Sequence, residues 1–167
     1  WLDDHCSGPL IVDVRLNGGG DETLAQQVAG RFVAEPTPYA QHRVRHADGN
    51  FGPVGTRVLQ PRGPRCTGPV VVLTGPAVAS SNEAFLLMMR AAGAPLVGET
   101  SAGSSGNPGP VELANGVVLH VPTWQSLDPQ GRPIEGVGIP PDQVVPWDES
   151  RGDPVLDAAY DLLGRPD

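Results

Sequence analysis

Pro69 to Ser105 reads PVVVLTGPAVASSNEAFLLMMRAAGAPLVGETSAGSS, and this stretch decides how the remainder of the chain is read. Val70 to Leu73 is a short apolar, β-branched run with the character of a buried strand. Thr74, Gly75 and Pro76 break it. Asn82 and Glu83 precede an apolar run, Ala84 to Met89, which with its flanks predicts a helix ending near Gly93. Pro95 to Val97 predicts a second buried strand. Strand, tight turn, helix and strand make the βαβ unit of a mostly parallel sheet. Its turn carries Ser80 and Ser81 at the C-terminal end of the strand, where open α/β sheets place their sites. A serine there can act as a nucleophile, with helix-terminal amides ready to stabilise an oxyanion. The same pattern also has a plain structural meaning. Ser is a preferred N-cap, and Ser80 with Glu83 fits a capping box.

Upstream, Pro9 to Val14 is a near-continuous apolar run that predicts a central parallel strand. It leads into Gly18, Gly19 and Gly20, where side chains are absent and exposed amides can bind an anion or oxyanion. The spacing does not match a dinucleotide fingerprint. Asp21 to Val33 reads as a helix, acidic at its start, with Leu24, Val28 and Phe32 as its apolar stripe. Tyr39 to Arg65 reads as an extended excursion with an exposed edge, rich in arginine. His42 and His46 lie there without a third ligand, so no metal site is expected.

Downstream, Gly98 to Gly109 is a Gly/Ser-rich segment, read as a turn or flexible linker whose place after a strand also suits a site loop. Asn115-Gly116 between two apolar runs signals a short antiparallel hairpin, with His120 expected to be packed or satisfied locally. Val144 and Val145 suggest a last short strand, and Pro154 to Leu163 a terminal amphipathic helix with Pro at its start.

The 167 residues suit one domain, 1–167. Gly and Pro together approach a quarter of the chain, but their interleaving with dense Val, Leu and Ile runs indicates a folded domain rich in turns. A net charge of −8 argues against broad phosphate-backbone binding, so no nucleic-acid partner is expected. No apolar run approaches a membrane span. Cys6 and Cys66 can pair in an oxidising compartment or stand as buried thiols, and the second is preferred at this point. The chain starts at Trp1, a few residues before a core strand, so upstream sequence is expected to precede it.

Four ordered blocks, LIVDVRLNGGG at Leu10 to Gly20, GPAVASSNEAF at Gly75 to Phe85, LVGETSAG at Leu96 to Gly103 and EGVGIPPDQVV at Glu135 to Val145, together resemble the S41 peptidases, which comprise C-terminal processing proteases and tricorn-type core proteases. The resemblance implies an α/β fold of crotonase-like, Clp protease-like superhelical type, with a mostly parallel central sheet and a short antiparallel hairpin. It implies serine-type hydrolysis of peptide or protein substrates, extracytoplasmic placement, and no cofactor or metal; an oligomer is left open. Ser80 then matches the nucleophile, and the amides of Gly19 and Ser81 the oxyanion hole. Glu135 matches a glutamate that helps orient the base in the tricorn-like branch. The processing branch uses a lysine base, whose position is held here by Ser104; Ser104 and Glu83 remain accessory candidates. The histidine of the tricorn-like branch lies upstream of the glycine-run strand, where only His5 stands, too close to that strand. A segment outside this sequence is therefore expected to supply the base. The alternative is a catalytically impaired peptide-binding member of the same fold. An acyl-thioester enzyme is a poorer third reading, since no basic cradle for cofactor phosphates accompanies the glycine run.

Overall fold

The computed structural model describes residues 2–148, 150 and 152–164, so Trp1 lies outside the described part. In chain order the elements are α1 (Leu2–His5), β1 (Leu10–Asp13), α2 (Glu22–Ala29), β2 (Thr37–Val44), β3 (Gly55–Leu59), β4 (Val70–Thr74), α3 (Ser81–Ala91) and β5 (Leu96–Gly98). β6 (Pro108–Glu112), β7 (Val118–Pro122), β8 (Trp124–Leu127), β9 (Gln143–Val144) and α4 (Pro154–Leu163) follow.

β4 is buried along nearly its whole length because it is central in a parallel sheet ordered β1-β4-β5-β9 and covered on both faces. Val72 faces one core with Leu86, Met88 and Met89 of α3. Val71 and Leu73 face a second core with Val155 and Ala159 of α4. Beyond α3 lies a separate antiparallel sheet, β3-β2-β8. α3 is thus held between two sheets, and every residue from Asn82 to Met89 is buried. This explains a helix with little polar face.

The crotonase-like superhelix expected from the resemblance is corrected here. A superhelix needs successive ββα units feeding one continuous core. Among the described residues, β2 and β3 instead form a sheet of their own with β8, and β6 pairs only with β7.

Other expectations also change. α2 stops at Ala29, and its predicted stripe is split: Phe32, beyond the helix, is buried in the core, but Leu24 and Val28 are 59% and 42% exposed. They line a surface groove beside the glycine run. His120 sits on an exposed strand rather than in packing. Cys6 and Cys66 form a disulfide, contrary to the preference for two thiols. The parallel register explains it: Leu10 pairs with Val70, and each cysteine lies four residues before its member of that pair.

α4 is tied to the end of β1 by Arg15, whose guanidinium bonds both oxygens of Asp153 at 2.8 Å and both oxygens of Asp13 at 2.9 and 2.6 Å. These bonds hold the carboxyls of Asp13 and Asp153 below the usual range. A lowered folded-state pKa contributes stability that is complete above the ordinary carboxylate value, ~3.9, and fades as pH falls through the lowered one. Arg15→Met is therefore expected to lower the melting temperature at pH 7, with the gap to wild type closing as melts are repeated down to about pH 2.

Candidate active site

The C-terminal ends of β1 and β4 lie side by side, which brings the glycine run and the double-serine turn together. Gly19 has φ +109°, and a methyl group built there would stand 2.8 Å from both the Ala79 carbonyl oxygen and Ser80 Cβ. Only glycine allows this approach. Asn82 secures it from the helix, its Nδ2 donating to the carbonyls of Val14 (3.2 Å) and Asn17 (3.0 Å). Ser81 Oγ and the backbone of Gly20 are joined by hydrogen bonds in both directions, Gly20 N–H donating at 3.2 Å.

Ser80 is the N-cap of α3 and holds φ 56°, ψ −128°. A non-glycine residue in that region stores strain of about 1–3 kcal/mol, which the surrounding hydrogen bonds must overcome. Its N–H donates to Ser104 O at 2.7 Å and, more weakly, to Glu83 Oε2 at 3.2 Å. Ser81 is the first residue of α3, so the helix itself leaves its N–H unpaired. The Gly19 N–H donates to Asn17 Oδ1 at 2.9 Å.

Glu83 does more than cap. Fully buried, its carboxylate accepts five hydrogen bonds. Oε1 takes Ser101 Oγ at 2.6 Å and Gly103 N at 2.7 Å. Oε2 takes Ser104 N at 2.9 Å and Ser105 Oγ at 2.5 Å, besides Ser80 N. The Gly/Ser-rich segment is consequently an ordered wall of the site and not a linker. Ser104 stands beside Ser80 through its backbone, with an exposed side chain. Glu135 is exposed and reaches the same wall, its Oε2 accepting Ser105 N at 2.9 Å. Ser105 thus bridges the two glutamates.

The histidines lie elsewhere. His5 ends α1, His120 is in β7, His46 follows β2, and His42 packs on Trp124 with ring centroids 5.2 Å apart. The chain contains no lysine. Among the described residues no histidine or acidic side chain is hydrogen-bonded to Ser80 Oγ.

Two cavities flank the serine turn. One, of about 320 Å³, is polar and lined by Ser80, Asp21, Arg57, Ser105, Trp124 and Ser126. The other, about 430 Å³, is a mainly apolar groove reaching Gly19 and Ser81. Arg57 pairs with Glu22, which also accepts from Tyr39 OH at 2.5 Å, and stacks 4.9 Å from the Trp124 ring centroid. Burial, then the bond to Glu22, push the Tyr39 hydroxyl well above its ordinary pKa. Sequence reasoning missed Asn82 and Trp124 as site residues, and placed Arg57 only within the arginine-rich excursion. The one signal for Asn82 was a polar residue at the head of an apolar helix.

A strained serine at a helix start thus faces a glycine-built turn. The profile of peptidase family S41 matches residues 4–145, and the chain belongs to that family. It is 29% identical over 133 residues to the carboxy-terminal processing protease CtpB of Bacillus subtilis, an alignment covering 79% of this chain and 26% of that protein. A structure from Parabacteroides merdae described as a candidate peptidase superposes with TM-score 0.86 at 31% identity, over 93% of this chain and 52% of that one. The tricorn protease gives TM-score 0.65 at 24% identity, covering 93% of this chain and 15% of its own, a likeness of fold alone. The fold is that of the S41 processing and tricorn proteases, in place of the superhelix first expected. The chain spans about a quarter of the Bacillus protein and about half of the Parabacteroides one.

Glu83→Gln tests the hub. In either orientation the new amide NH₂ faces a backbone N–H that cannot turn round to accept, that of Gly103 or of Ser104. The variant is expected to lose about 2–4 kcal/mol of stability, read from thermal or urea unfolding.

Proposed function

We propose that residues 1–167 form a single catalytic core of a serine peptidase acting on peptide or protein substrates. Ser80 attacks the scissile carbonyl, and the amides of Gly19 and Ser81 receive the oxyanion. The observation that carries this is the close approach of Gly19 to the Ala79–Ser80 backbone, which surrounds one serine with two sources of amides. Asn17 holds the Gly19 N–H in the free chain, so substrate must displace that bond as the oxyanion forms.

Glu135 orients a base contributed by sequence outside this chain. A lone serine hydroxyl is a poor nucleophile at neutral pH, and no lysine is available at Ser104 or elsewhere. The Cys6–Cys66 disulfide supports an extracytoplasmic location, where such bonds persist. No helix among the described residues is long and apolar enough to cross a membrane.

The placement of the histidines away from Ser80 favours a second reading, a peptide-binding member without turnover. The full-length protein separates the two. Hydrolysis of peptides, with labelling by a serine-reactive probe, is expected for the wild type. Ser80→Ala is expected to lower hydrolysis by about a thousandfold or more with an unchanged melting temperature. Hydrolysis that survives in purified Ser80→Ala removes Ser80 from the mechanism, and binding without turnover in the wild type selects the second reading. Gly19→Ala is expected to retain peptide binding poorly and to lose turnover, because its methyl group pushes the two turns apart; steady-state kinetics in the same full-length background checks it.

A further inference from the structure

The polar cavity beside Ser80 carries more recognition chemistry than the proposed reaction uses. Its guanidinium, Arg57, is already neutralised by Glu22 and covered by the Trp124 ring, so it is not an open carboxylate receptor. Asp21 is different. Thr23 N and Thr23 Oγ1 both donate to its Oδ1, each at 2.8 Å, and no ion pair or hydrogen bond among the described residues uses its Oδ2. Those two bonds hold its carboxyl below the usual range, so it is charged at neutral pH. Asp21 is exposed, so the cavity lining carries one unbalanced negative charge that is open to solvent.

A second observation comes from the opposite wall. Ser126 is only 6% exposed and lines the same cavity. A hydroxyl on a cavity wall can receive a ligand's polar group. Trp124 and the hydrocarbon of Ala84 line the space between, a surface suited to an alkyl stem.

We propose that this cavity is a specificity subsite for a cationic side chain, lysine or arginine, on a substrate residue flanking the scissile bond. The stem lies along Trp124, and the charged head donates to Asp21 Oδ2 and to the Ser126 hydroxyl. The chain's net charge of −8 draws cationic peptides in the same direction. This subsite rests on the peptidase reading only for its orientation relative to the bond cut; the binding preference itself does not need turnover.

The test uses the full-length protein carrying Ser80→Ala, titrated calorimetrically with peptide sets in which lysine, norleucine or glutamate is scanned through each position. At one position lysine is expected to bind about tenfold more tightly than glutamate, with the ratio shrinking as salt is raised. Asp21→Asn keeps a good N-cap for α2 while removing the charge, and is expected to bring that ratio to within about twofold. A ratio near one at every position, a preference for glutamate, or a lysine preference that survives Asp21→Asn overturns the subsite. Hydrolysis by the wild type with no such preference sinks the subsite and leaves the peptidase reading. The preference without any hydrolysis supports the subsite and sinks the peptidase reading instead.

Discussion

The carboxylate of Glu83 lies in the interior with no exposed surface, and burying such a group is costly unless hydrogen bonds replace its water. Five donors do so, and they come from the start of α3 and from four of the five residues between Ser101 and Ser105. One side chain therefore fixes the serine turn and the wall opposite it in a single arrangement. The positive φ of Ser80 is sustained by the same bonds. Glu135 joins this arrangement from a distant part of the chain through Ser105, so the two glutamates communicate through one serine residue.

The parallel sheet supplies the other half of the geometry. Because β1 and β4 run side by side in register, whatever follows each strand meets at the same end, and whatever precedes each meets at the other. The glycine run and the serine turn meet at one end for this reason; Cys6 and Cys66 meet at the opposite end for the same one. The antiparallel sheet then closes the site from beyond α3, bringing Arg57, Trp124 and Ser126 to the cavity from strands β3 and β8.

Much of this was legible where short-range chemistry decides. The strands near Leu10 and Val70, the helix from Ser81, the hairpin at Asn115-Gly116 and the terminal helix after Pro154 follow from apolar runs, turn residues and caps. The superhelix was misjudged because sequence blocks record which segments a family shares, while the sheet in which a hairpin ends depends on pairing between distant strands. α2 was misread for a related reason. Its spacing of four is genuine, but periodicity does not say whether an apolar stripe faces a core or a groove.

By itself the sequence determined the chemistry available: a serine pair at a strand-to-helix turn, a run of glycines after another strand, and no lysine to act as base. These follow from residue type and local spacing alone. Only the tertiary structure decided that Glu83 is a hub rather than a cap, that Gly19 lies against Ser80, and that Asp21 and Ser126 face one cavity. Each of those contacts joins segments tens of residues apart, and such contacts are set by how strands pair and helices pack across the whole chain.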